Sequence, residues 1–251
     1  MKKILIFLTL CVFGYSANIN IAAAANVTYA FKELESQFKK ENPDTSINVT
    51  LGASGNLVAQ IQNGAPFDVF MAANMKFAQK LYDENLAVTK PVIYAQGALA
   101  LLTLRTNVTD LSKGLEALKS ENVKLIAIAN PKTAPYGEAS VETLKKLGIY
   151  EIIKSKIIEA KSIGETLTQT LTATDAGFVA ASALHEEGLK KYNLKENVNY
   201  ILIDQKLYSP INQGIVITKH GKDNMDAKKF YDFVLSEKGK AIFKAYGYNI
   251  P

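Results

Sequence analysis

The stretch GASGNLVAQIQNGAPFDVFMAAN, residues 52–74, decides the fold. SINVTL (46–51), an apolar run of strand length, leads into it. Gly52-Ala53-Ser54-Gly55 is a turn of small residues. Asn56 to Asn63 then carries Leu57, Val58 and Ile61 at helical spacing. Gly64 stands where a left-handed residue ends a helix. Asp68 to Ala72 is a short apolar run that reads as a strand, and Asn74 to Asn85 reads as a helix. Strand, tight turn, helix, strand is the pattern of a parallel βαβ unit with helices laid over a sheet.

The same alternation extends in both directions. Upstream, Ile19 to Ala24 reads as a buried strand. Asn26 to Lys40 reads as a helix with Ala30, Phe31, Leu34 and Phe38 on one face, ended by Pro43. Downstream, YAQGALALLTL (94–104) is long for one strand and contains Gly97, so it reads as a crossing into a second lobe. There the pattern resumes with a strand at Val123–Ala129, a helix at Tyr136–Leu147 stopped by Gly148, and a strand at Ile157–Lys161. After the turn Ser162-Ile163-Gly164 comes a helix near Glu165–Leu171, then strands at Gly177–Ala181 and Tyr200–Ile203. SPINQGIVIT (209–218) returns to the first lobe, and two helices close it, at Asp226–Leu235 and from Ser236 to near Gly247. The expected architecture is α/β, with mostly parallel sheets and helices on both faces. Residues 17–96 plus 209–251 form lobe I and 97–208 form lobe II, hinged by two crossover segments. Ligands on such sheets sit beyond the strand C-termini, where helix N-termini point.

The first residues differ from the rest. Lys2 and Lys3 precede an apolar run, Ile4 to Gly14, that is too short to span a bilayer. Small Gly14 and Ser16 follow at cleavage-site spacing, so residues 1–16 read as a secretory signal peptide. The single cysteine, Cys11, leaves with it, and the mature chain is expected to fold without cross-links in the periplasm. The mature charge is +3, carried by scattered lysines with Arg105 the one arginine. Nucleic-acid binders cluster basic residues instead, so no nucleic-acid partner is expected.

Four turns share a character: Ala24–Thr28, Gly52–Asn56, Ala134–Gly137 and Gly164–Leu167. Each follows a strand, opens a helix and holds small, hydroxyl or amide residues. A helix start has free N–H groups and a partial positive charge, so it binds anions without Lys or Arg. Taken singly, Asn26 and Ser54 read as ordinary N-caps. Repetition in both lobes favours an anion site, as does the lack of catalytic groups. His185 and His220 read as surface residues, and neither GxSxG nor HExxH occurs. The chain is therefore expected not to be an enzyme, and no directly ligated metal or cofactor is expected.

NPKTAPYGEASVETL (130–144), GASGNLVAQIQNGAPFDVFMAAN, GETLTQTL (164–171), DAGFVAAS (175–182) and PINQGIVI (210–217) are its most specific segments. In them the chain resembles the periplasmic molybdate-binding proteins of ABC-type molybdate/tungstate importers, over essentially its mature length. The resemblance implies a type II periplasmic binding fold that holds molybdate or tungstate by uncharged donors, as a monomer that delivers the ion to a membrane permease. By position it implies Asn26 (side chain and N–H), Ser54 (hydroxyl and N–H), Tyr136 (N–H) and Leu167 (N–H) as ligands. Ala180 stands where some members carry a tyrosine. Glu165 would repel a dianion if it faced the cleft, so it is expected to point away. The alternative is a binder of another tetrahedral oxyanion such as sulfate.

Overall fold

The computed structural model describes residues 18–250, so the expected signal segment lies outside the described residues. Strand β1 (Asn18–Ala24) leads through a 3-10 turn (Ala25–Val27) into helix α1 (Thr28–Glu41). Strand β2 (Ser46–Gly52) leads into α2 (Ser54–Gln62), and β3 (Val69–Met71) into α3 (Met75–Asp83). Next come β4 (Val92–Gly97), β5 (Leu99–Leu102), β6 (Ile126–Ala129), α4 (Pro135–Lys146) and α5 (Tyr150–Ile153). They are followed by β7 (Ile157–Ala160), α6 (Ile163–Thr172), β8 (Ala176–Ala180) and β9 (Tyr200–Leu202). The chain closes with β10 (Ile211–Ile217), α7 (Met225–Leu235) and α8 (Glu237–Ala245). Among the described residues, no helix is long and apolar enough to cross a membrane.

The strands form two five-stranded sheets, ordered β2-β1-β3-β10-β4 and β7-β6-β8-β5-β9. In the first, β1 runs parallel to β2 and β3, while β10 runs antiparallel to β3 and β4. In the second, β6 runs parallel to β7 and β8, while β5 runs antiparallel to β8 and β9. Both sheets are thus mixed, where the sequence pattern predicts mostly parallel ones. The reason lies in the connections. Parallel neighbours need a crossover helix between them. β5 enters its sheet directly from β4, one residue away, and β10 arrives from the other sheet's side of the chain. The apolar run 94–104 is accordingly two strands that part at Ala98.

Each helix buries the stripe its sequence shows. α1 turns Ala30, Phe31, Leu34 and Phe38 inward. There Phe38 meets Phe230 and Phe233 edge-on, with ring centres 5.3 and 5.7 Å apart. Truncating such a fully buried ring to alanine costs about 3–5 kcal/mol. Gly64 ends α2 with φ +85°, the left-handed cap its sequence position implies. The C-terminal ends of β1, β2, β6 and β7 deliver the chain to the starts of four helical segments. It is these starts that build the site.

Candidate functional site

Neither Asn26 nor Ser54 is a helix cap, so the ordinary N-cap reading fails for both. The 3-10 turn at Ala25–Val27 starts from extended Ala24, and no side chain caps it or α1. In α2 the extended cap residue is Ala53, which makes Ser54 the first helical residue. The helix starts two residues earlier than its apolar spacing suggests. Both polar side chains are therefore free for another task, yet both are buried, Asn26 at 1% exposure and Ser54 at 0%.

They line one small cavity between the lobes, with Tyr136 at the start of α4 and Ile163 at the start of α6. Alanines 24, 25, 53, 73 and 134 wall the rest. Its empty space, mouth included, is about 190 Å³. Only about 10 Å³ of that is open to the centre of a water-sized sphere, far below the roughly 300–1,000 Å³ of sites for drug-sized organic ligands, so the closed cleft leaves no room for a ligand of that size. No Lys, Arg, Asp or Glu is among the lining residues.

The N–H donors around this largely apolar cavity come from helix starts. The amides of Asn26, Ser54, Tyr136, Ile163 and Gly164 all lie in the first turns of their helical segments. None of them has an acceptor within its own helix. Pro135, which has no N–H, takes the first position of α4 and leaves the Tyr136 amide as the donor there. The Ser54 hydroxyl accepts from the Ala73 N–H at 2.9 Å, so its own proton remains available to a ligand.

Leu167 does not belong to this set. It is the fifth residue of α6, and its side chain packs in the apolar cluster with Ala100, Leu102 and Val179. The helix begins at Ile163 because the Ser162 hydroxyl caps it by accepting from the Glu165 N–H at 3.2 Å. The donors that α6 presents are thus the amides of Ile163 and Gly164. The spacing Ser162-x-x-Glu165, a capping-box pattern, carries this start in the sequence. Glu165 turns its carboxylate back, accepting from the Lys161 N–H at 2.9 Å and standing outside the cavity lining.

Arg105 and the two histidines stand outside this cavity. The Arg105 guanidinium lies 2.9 Å from Asp175, whose other oxygen accepts from the N–H groups of Lys124 and Leu125. Burial alone would raise the Asp175 carboxyl. The two backbone N–H groups and Arg105 outweigh it and hold the group below the usual carboxylate range. His220 sits half-exposed, 3.1 Å from Asp68, and His185 is exposed beside Tyr246.

Around the Asn26 side chain lies a buried polar network that sequence reasoning missed. The Asn26 Nδ2 donates to Gln213 Oε1 at 2.9 Å and to the Tyr248 hydroxyl at 3.1 Å. Tyr94 donates to the same Gln213 oxygen at 2.7 Å, and Gln213 Nε2 donates to the Tyr136 hydroxyl at 3.2 Å. Tyr248 and Ser182 both donate to the Asn26 carbonyl, at 2.7 and 3.1 Å. Burial pushes the Tyr248 phenol up to about 12, and raises Tyr94 and Tyr136 as well. All three remain neutral donors at physiological pH.

The family of bacterial extracellular solute-binding proteins matches residues 19–249. The chain belongs to that family. It is 38% identical over 237 residues to the molybdate-binding protein ModA of Azotobacter vinelandii, covering 94% of this chain and 91% of that protein. It is 34% identical to the ModA of Rhodobacter capsulatus, covering 90% and 86% of the two chains. The solved structure of the Azotobacter vinelandii periplasmic molybdate-binding protein superposes with a TM-score of 0.84 at 32% identity, covering 93% of this chain and 99% of that one. The likeness extends to a two-lobed type II binding fold, with both sheets and the cleft between them.

Proposed function

We propose that this chain binds molybdate or tungstate in the periplasm and hands it to the permease of an ABC importer. The observation that carries this is a small cavity lined without charged side chains, onto which helix starts from both lobes converge. Its named relatives add support, both being molybdate-binding proteins. The ligands are the amides of Asn26, Ser54, Tyr136, Ile163 and Gly164, with the Ser54 hydroxyl and the Asn26 side chain. The signal segment at residues 1–16 and a monomeric state fit the same role.

Neutral donors suffice for tight binding. Seven hydrogen bonds to a dianion, at roughly 1.5–3 kcal/mol each, less several kcal/mol for ordering and closure, leave about 8–12 kcal/mol. That corresponds to dissociation constants from about micromolar to nanomolar. A cage of donors also selects a fully deprotonated ion. Hydrogen phosphate would bring a proton that finds no acceptor in a dry site. Sulfate brings none, so its rejection rests on size.

Titration calorimetry on the mature chain with molybdate, tungstate, sulfate and phosphate tests the reading. Expected are micromolar or tighter constants for the first two and at least about tenfold weaker sulfate binding, or roughly 1.4 kcal/mol. Equal sulfate affinity would replace molybdate by a broader oxyanion specificity. No heat with any of the four would overturn the function.

A further inference from the structure

Two faults in the polar network share one remedy. The Asn26 Oδ1 is buried with no hydrogen-bond partner. The Tyr136 hydroxyl receives a bond from Gln213 Nε2 but, among the described residues, has no acceptor for its own proton. A buried polar group left unpaired costs about 1–3 kcal/mol. The unpaired Asn26 atom is also an acceptor on a residue that lines the cavity, where a dianion would find it repulsive.

A side-chain amide reversed end for end keeps its shape and exchanges donor for acceptor. Reversing Asn26 alone would set its oxygen against Gln213 Oε1, now 2.9 Å from the Asn26 nitrogen. Reversing both removes these two faults. Gln213 Nε2 then donates to Asn26 Oδ1 and to the Tyr94 hydroxyl. Tyr94 keeps an acceptor in the Ala72 carbonyl at 3.4 Å. The Tyr136 proton gains Gln213 Oε1. Tyr248, 3.1 Å from the place Asn26 Oδ1 then takes, turns its proton from the Asn26 carbonyl to Oδ1, and Ser182 goes on donating to the carbonyl. One group stays unpaired, the Asn26 NH2 in the former place of Oδ1, and an acceptor in the cavity would satisfy it. Gly97 makes room for the pair, since a Cβ there would lie 2.0 Å from the Tyr136 hydroxyl and 2.8 Å from Gln213 Nε2.

We propose that Gln213 is a positioning residue for the oxyanion site, and that it holds the reversed Asn26 amide with its NH2 toward the ion. This rests on the oxyanion reading of the cavity. Gln213 comes from β10 and Tyr136 from the start of α4, so the same amide also takes part in a hydrogen bond that joins the two lobes.

The test uses the mature chain labelled with 15N at asparagine and glutamine side chains, with molybdate as the probe. The NH2 signals are assigned by their loss in Asn26→Ala and Gln213→Met. Molybdate should move both signals together and protect the Asn26 protons from solvent exchange. An Asn26 signal that does not move would overturn the proposal, and this arm needs only the wild-type fold. Calorimetry supplies the second arm. Gln213→Met should weaken molybdate binding about tenfold or more, as expected for losing one charge-assisted bond. In an Asn26→Ala background the same change should have little further effect, because Gln213 acts through Asn26. Additive losses, or undiminished affinity in Gln213→Met, would sink the proposal while leaving molybdate binding intact. Failure of the wild-type chain to bind molybdate would instead sink the functional reading beneath it.

Discussion

The Gly55 amide donates to the Thr133 carbonyl at 2.9 Å, tying the start of α2 directly to the turn before α4. The two residues belong to different lobes, so the bond spans the cleft. It is also why a glycine stands there. A Cβ at position 55 would lie 3.1 Å from Thr133 Cα and 3.1 Å from the Phe77 ring. The ring can shift, but the Thr133 backbone would have to give by a few tenths of an ångström, which loosens the contact across the cleft. Gly55→Ala should weaken molybdate binding several-fold, and Gly55→Val should do so by more than about tenfold, since every 1.4 kcal/mol taken from closure is a factor of ten. Calorimetry reads the affinity, and small-angle scattering with saturating molybdate reads the closure. Unchanged affinity in the valine variant would show that this bond is not part of the bound state.

Ser54 does two jobs with one oxygen. It accepts from the amide of Ala73, a residue only 2% exposed, and it keeps its proton for the ion. Ser54→Ala should therefore cost about 1–3 kcal/mol of stability without ligand, from the stranded Ala73 N–H. It should also lose at least about tenfold in molybdate affinity. Denaturant unfolding and calorimetry separate the two effects. A loss of affinity with no loss of stability would mean that Ala73 finds another partner.

Much of the fold and part of the site are legible in the sequence, and the misses have physical causes. Gly52 to Asn74 holds a complete turn, helix and strand, each with its own period and stop, so local residues suffice. The start of α2 lies at Ser54 and not Asn56 because apolar spacing locates the buried stripe and not the first turn. The start of α6 is legible in Ser162 and Glu165. Reading the helix from Glu165 puts Leu167 near its start, when it lies a full turn inside. The network around Gln213 is beyond reach. Asn26, Tyr94, Tyr136, Ser182, Gln213 and Tyr248 come from six separate segments, and Asn26 and Tyr248 are 222 residues apart in the chain. No local pattern marks a tyrosine as the partner of one particular amide.

Glu165 sits beside two of the proposed ligand amides, yet its carboxylate is engaged with the Lys161 N–H. Removing its charge should therefore change little at the ion. Glu165→Gln keeps the shape and can still accept that bond through its amide oxygen, so molybdate affinity should stay within about threefold, under 1 kcal/mol. A gain beyond about tenfold on calorimetry would show that the carboxylate faces the anion.

Tyr248 makes the stability of the fold sensitive to alkali. Its phenol is raised from 10.0 to about 12 by burial, chiefly because the tyrosinate loses its water. The unfolded chain releases this proton near pH 10, while the folded chain holds it to about pH 12. The folded state therefore binds more protons in that window, and stability falls as pH rises through it. Holding the proton across that window is worth about 2–3 kcal/mol, fully present below pH 10 and lost by about pH 12. Lysines titrate in the same range, so the informative quantity is the difference between wild type and Tyr248→Phe. At pH 8 the wild type should be more stable by about 1 kcal/mol, from the bond its hydroxyl donates to Asn26. Between about pH 10 and 12 that advantage should shrink and then reverse, because phenylalanine has no proton to hold. Urea unfolding of both proteins at about pH 8, 10 and 11 measures it. A constant difference across that range would show that the Tyr248 phenol titrates in the folded protein as it does in water.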